Sequence, residues 1–343
     1  MAVQIGLGLI TAQVPPGSGR TFPEEYRLQL DLVREAEVLG FDSVWVSEHH
    51  GSGDGYLPSL LPMLAAFAAV TEHVTLGTGV ILTPLHDPLQ LAEDASVVDN
   101  LSNGRLILGL GLGWREEEFR MFGVTEHKVA RHLETVEILR KAFTGERFTH
   151  RGKAYTYEDV LVMPPPARPG GPPIYLGGFE EKVIRRAGAL GDGYIRSRSS
   201  LESAKEALRW AEDDAREVGK DPEELGFALL QNAFAWEEGD AWKVVRDGVA
   251  HHLGTYAGWG QGGDTPGRGF EIAPPPDEVL QQTTPHGTPA QVVRQLRPLV
   301  DAFADRKEYH LIVRLAYPGM DDETARRAVE VFGSEVLPAL KGE

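Results

Sequence analysis

The chain contains no cysteine. That absence removes thiol nucleophiles, cysteine-ligated zinc or iron–sulfur centres and disulfides, so any chemistry must come from other side chains or a bound cofactor. Positive charge is also scarce: 34 Lys plus Arg stand against 51 Asp plus Glu, a net charge of −17. Such a field repels nucleic acid and anionic membranes, and neither is expected as a partner. Long apolar runs are missing too, since the longest, Leu57 to Val70, is broken by Pro58 and Pro62 and is too short for a membrane span. Met1 to Thr21 has no basic and apolar leader pattern, so the expected location is the cytoplasm.

What is present is an alternation. Within 343 residues, eight β-rich runs (Val3 to Ile10, Ser43 to Ser47, Val74 to Ile81, Arg105 to Gly111, Pro173 to Gly177, Gly193 to Ser197, Leu225 to Ala235, His310 to Tyr317) are each followed by helical patterns. The helical stretches are Pro23 to Leu39, Ser59 to Val70, Pro88 to Leu101, Glu116 to Phe143, Glu180 to Leu190, Leu201 to Val218, Ala241 to Leu253, Pro289 to Ala304 and Asp322 to Leu337. Ser-Val-Trp-Val-Ser and Leu-Ile-Val-Arg-Leu lack apolar/polar alternation and suit strands covered on both faces. Thr288-Pro289 reads as a helix start and Gly40 as a helix stop. The pattern predicts an α/β fold, a single (β/α)8 TIM barrel over 1–343, with a doubly wound sheet as the alternative. Two excursions exceed one βα unit: 144–172, with a hairpin pattern in Arg147 to Val162, and the Gly/Pro-rich 254–287, which reads either as a cover over the site or as a surface linker.

Functional residues of a barrel gather where strands end. Strand two ends in Glu48-His49-His50, which nominates an acid/base group; no His-x-His pair or HExxH accompanies it, so no metal site is expected. Strand three carries Gly77-Thr78-Gly79-Val80 and strand four Gly109-Leu110-Gly111-Leu112-Gly113-Trp114. Glycine pairs inside strands indicate a bulge, a flat ligand against the backbone, or tight barrel packing. Trp114 stands where a dinucleotide fingerprint requires glycine, which excludes a Rossmann reading. Strand five ends in Gly177-Gly178-Phe179 directly before a helix, a phosphate cradle or a simple turn. Arg131, and Arg196 with Arg198, are candidate counter-charges.

These residues carry a resemblance. Trp45 to His50, Leu76 to Val80, His86-Asp87-Pro88, Leu91 to Asp94, Asp99 with Leu101 to Arg105, Glu118 to Gly123, Gly177-Gly178 and Tyr317 to Met320 together resemble the bacterial luciferase-like flavin oxidoreductases. The resemblance implies a TIM barrel that binds FMN or the deazaflavin F420 at the C-terminal mouth, usually as a homodimer. Members similar to luciferase take reduced FMN from a separate flavin reductase and use O2 to oxygenate a small organic substrate. His49, flanked by Glu48 and His50, matches the family's residue beside the isoalloxazine. The implied cofactor contacts are Thr78, Gly79, Val80, Gly109, Gly111, Gly113, Trp114, Arg131, Gly177, Gly178 and Phe179, and a non-prolyl cis peptide falls at Gly79–Val80 or a neighbour.

This chain also departs from the luciferase pattern. Gly111 and Leu112 replace a cysteine and an arginine, so light emission is not expected; Phe179 replaces a phosphate-binding serine, and Arg131 lies one residue off the luciferase spacing. The expected function is an FMN-dependent monooxygenase. The alternatives are an F420-dependent hydride-transfer oxidoreductase, a flavin-binding barrel without catalysis, and a metal-dependent hydrolase.

Overall fold

The computed structural model describes residues 3–197, 199–260 and 274–342. Eight parallel strands close into a barrel. They are β1 (Gln4–Ile10), β2 (Ser43–Val46), β3 (Thr75–Thr78), β4 (Leu106–Gly111), β5 (Ile174–Gly177), β6 (Gly193–Ser197), β7 (Gly226–Asn232) and β8 (Tyr309–Arg314). Their order around the sheet is β3-β2-β1-β8-β7-β6-β5-β4, and β4 returns to β3 through Leu76↔Leu106 and Gly77↔Ile107. The helices α1 (Phe22–Val38), α2 (Leu60–Ala68), α3 (Pro88–Leu101), α4 (Lys128–Ala142), α5 (Glu181–Leu190), α6 (Leu201–Glu217), α7 (Pro289–Asp301) and α8 (Asp322–Val331) follow the strands in turn. The chain is therefore a (β/α)8 barrel, and the doubly wound alternative falls away.

Strand alternation sorts the side chains into two layers. Val44, Leu108, Leu110, Ile174, Leu176, Phe227, Leu229, Leu311 and Val313 point outward into the core shared with the helices. Leu9, Trp45, Ile107, Tyr175, Ile195, Ala228, Leu230 and Ile312 point inward and plug the barrel. The plug is lopsided because Trp45 is large: a Cβ on Gly77 would sit 2.2 Å from its ring, and one on Gly8 3.1 Å from its Cβ. Gly77 makes room for Trp45, and Gly8 for Ile312 Cγ2 at 2.5 Å as well as for Trp45, rather than for a ligand.

Local signals account for most boundaries. Thr288 N–H donates to Gln291 at 2.7 Å and starts α7 with Pro289 behind it, and Gly40 leaves α1 at φ 87°. The Arg147 to Val162 hairpin forms as Phe148–Arg151 against Thr156–Val160. Two helix ranges differ from expectation. Glu116 to Phe143 is not one helix but Glu116–Met121 and α4, parted by a turn where Gly123 has φ 68°. The helix beginning at Ala241 runs on to Gly258, so the start of the 254–287 excursion is helical; its central part, 261–273, lies outside the described residues. Among the described residues no helix is long and apolar enough to cross a membrane.

Candidate active site

At the end of β2, Glu48, His49 and His50 are all buried. His49 Nδ1 and Glu118 Oε1 are 2.8 Å apart. Glu118 comes from the short Glu116–Met121 helix after β4, and the same oxygen accepts from His50 N–H at 2.9 Å and from Arg115 at 3.2 Å. Burial alone would raise the Glu118 pKa; His49, the His50 N–H and the Arg115 guanidinium outweigh it and hold the carboxyl below its ordinary range. An ionised Glu118 fixes the His49 ring and leaves Nε2 as the nitrogen that a ligand can address. The sequence reading did not nominate Glu118, although its spacing of three from Arg115 on a helix was a visible signal.

Glu48 serves a second network. Its Oε1 is 2.8 Å from His50 Nε2 and 3.0 Å from His86 Nε2. Burial works against the charge on Glu48, but the two imidazoles hold its pKa down, and Glu48 in turn raises that of His86 against the effect of burial. One carboxylate oxygen and two imidazole nitrogens thus lie within 4.8 Å of one another, a composition that suits a metal. The separations are hydrogen-bond distances, and they satisfy the trio as a hydrogen-bonded network around one carboxylate.

Aromatic rings enclose His49. Trp259, Tyr56, Tyr256 and Trp114 have centroids 4.6, 4.9, 5.4 and 6.2 Å from the imidazole. Trp259 and Tyr256 belong to the end of the Ala241–Gly258 helix, which crosses the mouth. Asp54 anchors that helix, taking His251 Nε2 at 2.8 Å and Gln13 Nε2 at 2.6 Å. Arg115 lies 4.0 Å over the Trp259 ring.

Beside this enclosure is a cavity of about 370 Å³. Of the residues expected at the site, Glu48, His49, Gly79, Val80, Gly111, Gly113, Trp114, Gly177, Gly178 and Phe179 line it. The Gly79–Val80 peptide is cis, where the resemblance put it. A Cβ on Gly111 would meet Val80 Cγ2 at 2.5 Å, and one on Gly177 would meet Val80 Cγ1 at 3.0 Å. The two glycines therefore form a slot that seats Val80 as a flat shelf.

Four expected residues do not line the cavity. His50 is turned toward Glu48 and packs 4.5 Å from the Phe122 ring. Thr78 Oγ1 donates to Gly109 O and accepts from Gly109 N–H, both at 2.8 Å, and so closes the β3–β4 seam. A Cβ on Gly109 would lie 1.8 Å from Thr78 O, so chain approach, not a ligand, requires glycine there. Arg131 donates to Pro84 O at 3.0 Å and stacks 5.0 Å over Tyr155, away from the cavity.

Another of the candidate counter-charges does line the cavity. Arg196, at the end of β6, donates to the hydroxyls of Ser199, Tyr194 (3.1 Å) and Ser203 (2.7 Å). No carboxylate pairs with it among the described residues, and Tyr194 OH in turn binds Gly178 O at 2.9 Å. Arg196 thus brings uncompensated positive charge beside the Gly177-Gly178 turn, while Glu180, the residue capping α5, lines the same end. Arg198 lies outside the described residues.

Three comparisons bear on this arrangement. A family model for luciferase-like monooxygenases matches residues 5–306. An F420-dependent glucose-6-phosphate dehydrogenase of Intrasporangium calvum is 30% identical over 331 residues, 91% of this chain and 94% of that one. A limonene 1,2-monooxygenase of Rhodococcus erythropolis is 27% identical over 337 residues, 92% of this chain and 81% of that one. In structure, the monooxygenase RslO1 from Streptomyces bottropensis superposes with a TM-score of 0.84 at 23% identity, covering 98% of this chain and 99% of that one, which bears on the fold.

Proposed function

The chain belongs to the luciferase-like monooxygenase family, and from that premise we propose that it is a flavin-dependent monooxygenase that uses FMN, reduced by a separate reductase, and O2 to oxygenate a small neutral organic substrate. The observation that carries this reading is the Val80 shelf, set between Gly111 and Gly177 with a carboxylate-held His49 at one end and Arg196 at the other. A flat ring system with an anionic tail matches such a cavity in shape, and about 370 Å³ is within the range of cofactor clefts. Bound there, reduced flavin would supply the electrons that activate O2.

The chain's own residues supply the rest. Gly111, Gly177 and Val80 give an apolar surface against which a ring can lie. Gly178 and Arg196 favour a negative charge at the far end. His49 Nε2 can hold or donate a proton at the reacting face, and Glu118 keeps the ring in place for it. Trp259, Tyr256 and Tyr56 exclude water around His49.

A second reading is supported by the full-length similarity to an F420-dependent dehydrogenase. In it, F420 would occupy the same shelf, hydride transfer would replace oxygen chemistry, and His49 would act as acid or base. Anaerobic titration with reduced FMN and F420 in parallel, followed by admission of O2, separates the two. Tight F420 binding with none for FMN, or turnover without O2, would overturn the monooxygenase proposal. Unchanged product formation in His49→Ala would leave His49 without a catalytic role.

A further inference from the structure

We propose that the Ser47 hydroxyl is the hydrogen-bond donor for a neutral carbonyl oxygen of the substrate, an inference that rests on the reading of the mouth cavity as a flavin-dependent active site. Ser47 directly follows β2, and its N–H donates to Ile10 O at 3.1 Å, so the ladder with β1 continues through it. Trp45, two residues earlier, points into the barrel plug, while Val44 and Val46 point outward. Alternation therefore turns the Ser47 side chain inward, and Ser47 is one of the residues that line the mouth cavity.

The proton count around Ser47 leaves one donor over. Tyr56 OH donates to Ser47 Oγ at 3.2 Å and lies 2.8 Å from Tyr256 OH. A phenol has one proton, so with that proton on Ser47 the second contact is Tyr256 donating to Tyr56. The three hydroxyls form a chain from Tyr256 through Tyr56 to Ser47, in which each bond polarises the next. Ser47 ends the chain: its oxygen accepts from Tyr56, and among the described residues its own O–H meets no acceptor. A buried donor at a cavity wall is satisfied by a ligand that brings an acceptor oxygen.

Position and charge set the class of that ligand. Gly111 and Gly177 seat Val80 from β4 and β5, and Arg196 lines the cavity from β6. Ser47 and Tyr256 line it from β2 and from the helix that crosses the mouth, with the Tyr256 ring 5.4 Å from the His49 imidazole. The hydroxyls thus belong to the His49 side, where a second molecule would meet a ring resting on the shelf. Glu48, the next residue in the chain, lines the same wall, and its two imidazole partners keep it ionised. A carboxylate or phosphate brought to Ser47 would be repelled, whereas a neutral oxygen would not. Because Ser47 Oγ already accepts from Tyr56, it suits a group that only accepts, such as an aldehyde or ketone carbonyl.

The test compares wild type, Ser47→Ala and Tyr56→Phe, each with and without FMN. Two probes matched in shape, cyclohexanone and methylenecyclohexane, differ in the oxygen, and the infrared carbonyl stretch of the bound ketone reports its hydrogen bond. Wild type should favour the ketone by about threefold to tenfold, with the stretch at lower wavenumber than in an apolar solvent. Ser47→Ala should abolish the preference and return the stretch to its apolar position, while FMN affinity stays within about twofold. Tyr56→Phe leaves the Ser47 proton in place and removes the donor behind it, so the preference should persist with a smaller shift of the stretch. The proposal is overturned if wild type does not favour the ketone, if the preference survives Ser47→Ala, or if Tyr56→Phe alone abolishes it. Equal weakening of both probes in Ser47→Ala would make the hydroxyl a packing group, and weaker FMN with unchanged ketone binding would assign it to the cofactor; either result overturns the proposal. Failure of the wild type to bind FMN would instead sink the cofactor reading, and the ketone comparison on FMN-free protein would still decide whether Ser47 binds a carbonyl.

Discussion

His49 Nδ1 and Glu118 Oε1 sit 2.8 Å apart across 69 residues of chain, joining the end of β2 to the helix after β4. Because the same oxygen also receives His50 N–H and Arg115, Glu118→Ala would strand three donors in a buried site. The expected cost is about 2–4 kcal/mol, visible as a lower urea midpoint. Glu118→Gln keeps an acceptor and should retain the fold within about 1 kcal/mol while losing the charge that orients the imidazole. Turnover in His49→Ala should fall by about 10²–10⁴-fold with FMN affinity little changed. In the Glu118→Gln/His49→Ala double variant the losses should not add, because the first acts through the second.

Much of this architecture was legible in the sequence because barrel strands are covered on both faces. Runs such as Leu106 to Gly111 are buried at every residue, which leaves a signature that no half-exposed strand has. The break between Met121 and Lys128 was not legible, since the apolar periodicity continues across it. Glycines were ambiguous for a physical reason: Gly77 and Gly109 answer to Trp45 and Thr78, and Gly111 and Gly177 to Val80, yet all four look alike in a strand. Glu118 was not legible as a site residue because the partner that gives it a role, His49, lies 69 residues away along the chain until the barrel closes. Arg131 and Arg196 were both legible as candidate counter-charges, and of the two only Arg196 lines the cavity, which depends on where the closed barrel aims each side chain.

Buried His132 gives a pH prediction. Burial, with a smaller effect from Arg186, lowers its pKa to about 4, and its Nδ1 sits 2.7 Å from Thr83 Oγ1. In the unfolded chain an imidazole titrates near about 6.5, so between about 6.5 and about 4 the unfolded state binds the proton and the folded state does not. Stability is therefore fully present above about 6.5 and declines as pH falls toward about 4, by about 3 kcal/mol in total. Urea midpoints measured from pH 7 to 4 should fall less steeply in His132→Gln. Equal slopes in the two proteins would remove His132 as the cause.

Two glycine substitutions on the same strand should fail differently. Gly109→Ala forces a Cβ to 1.8 Å from the Thr78 carbonyl, a backbone atom that cannot turn away. It should destabilise the β3–β4 seam by about 3 kcal/mol or more, and thermal melting would show it. Gly111→Ala meets only Val80 Cγ2, a side-chain atom that can shift. It should melt closer to wild type yet weaken FMN by about tenfold, because displacing Val80 tilts the shelf. Comparable melting temperatures for the two variants would contradict the distinction.

Arg196 predicts which flavin form the cavity prefers. Its guanidinium is held by hydroxyls of Tyr194, Ser199 and Ser203, which orient it without neutralising it, whereas Glu180 at the same end has the opposite charge. A terminal phosphate should therefore be drawn to Arg196 and opposed by Glu180. Arg196→Ala should weaken FMN by about 10–100-fold, the range of a hydrogen bond to a charged group, and leave riboflavin, which lacks the phosphate, nearly unaffected. Arg196→Lys should recover part of the loss, since a point charge attracts the phosphate without the planar fork. Glu180→Gln should tighten FMN and not riboflavin, and raising the salt concentration should shrink both effects. Equilibrium binding of the two flavins to the four proteins measures all of this. A loss of equal size for riboflavin in Arg196→Ala would mean that Arg196 merely holds Tyr194 and the Gly178 turn in place.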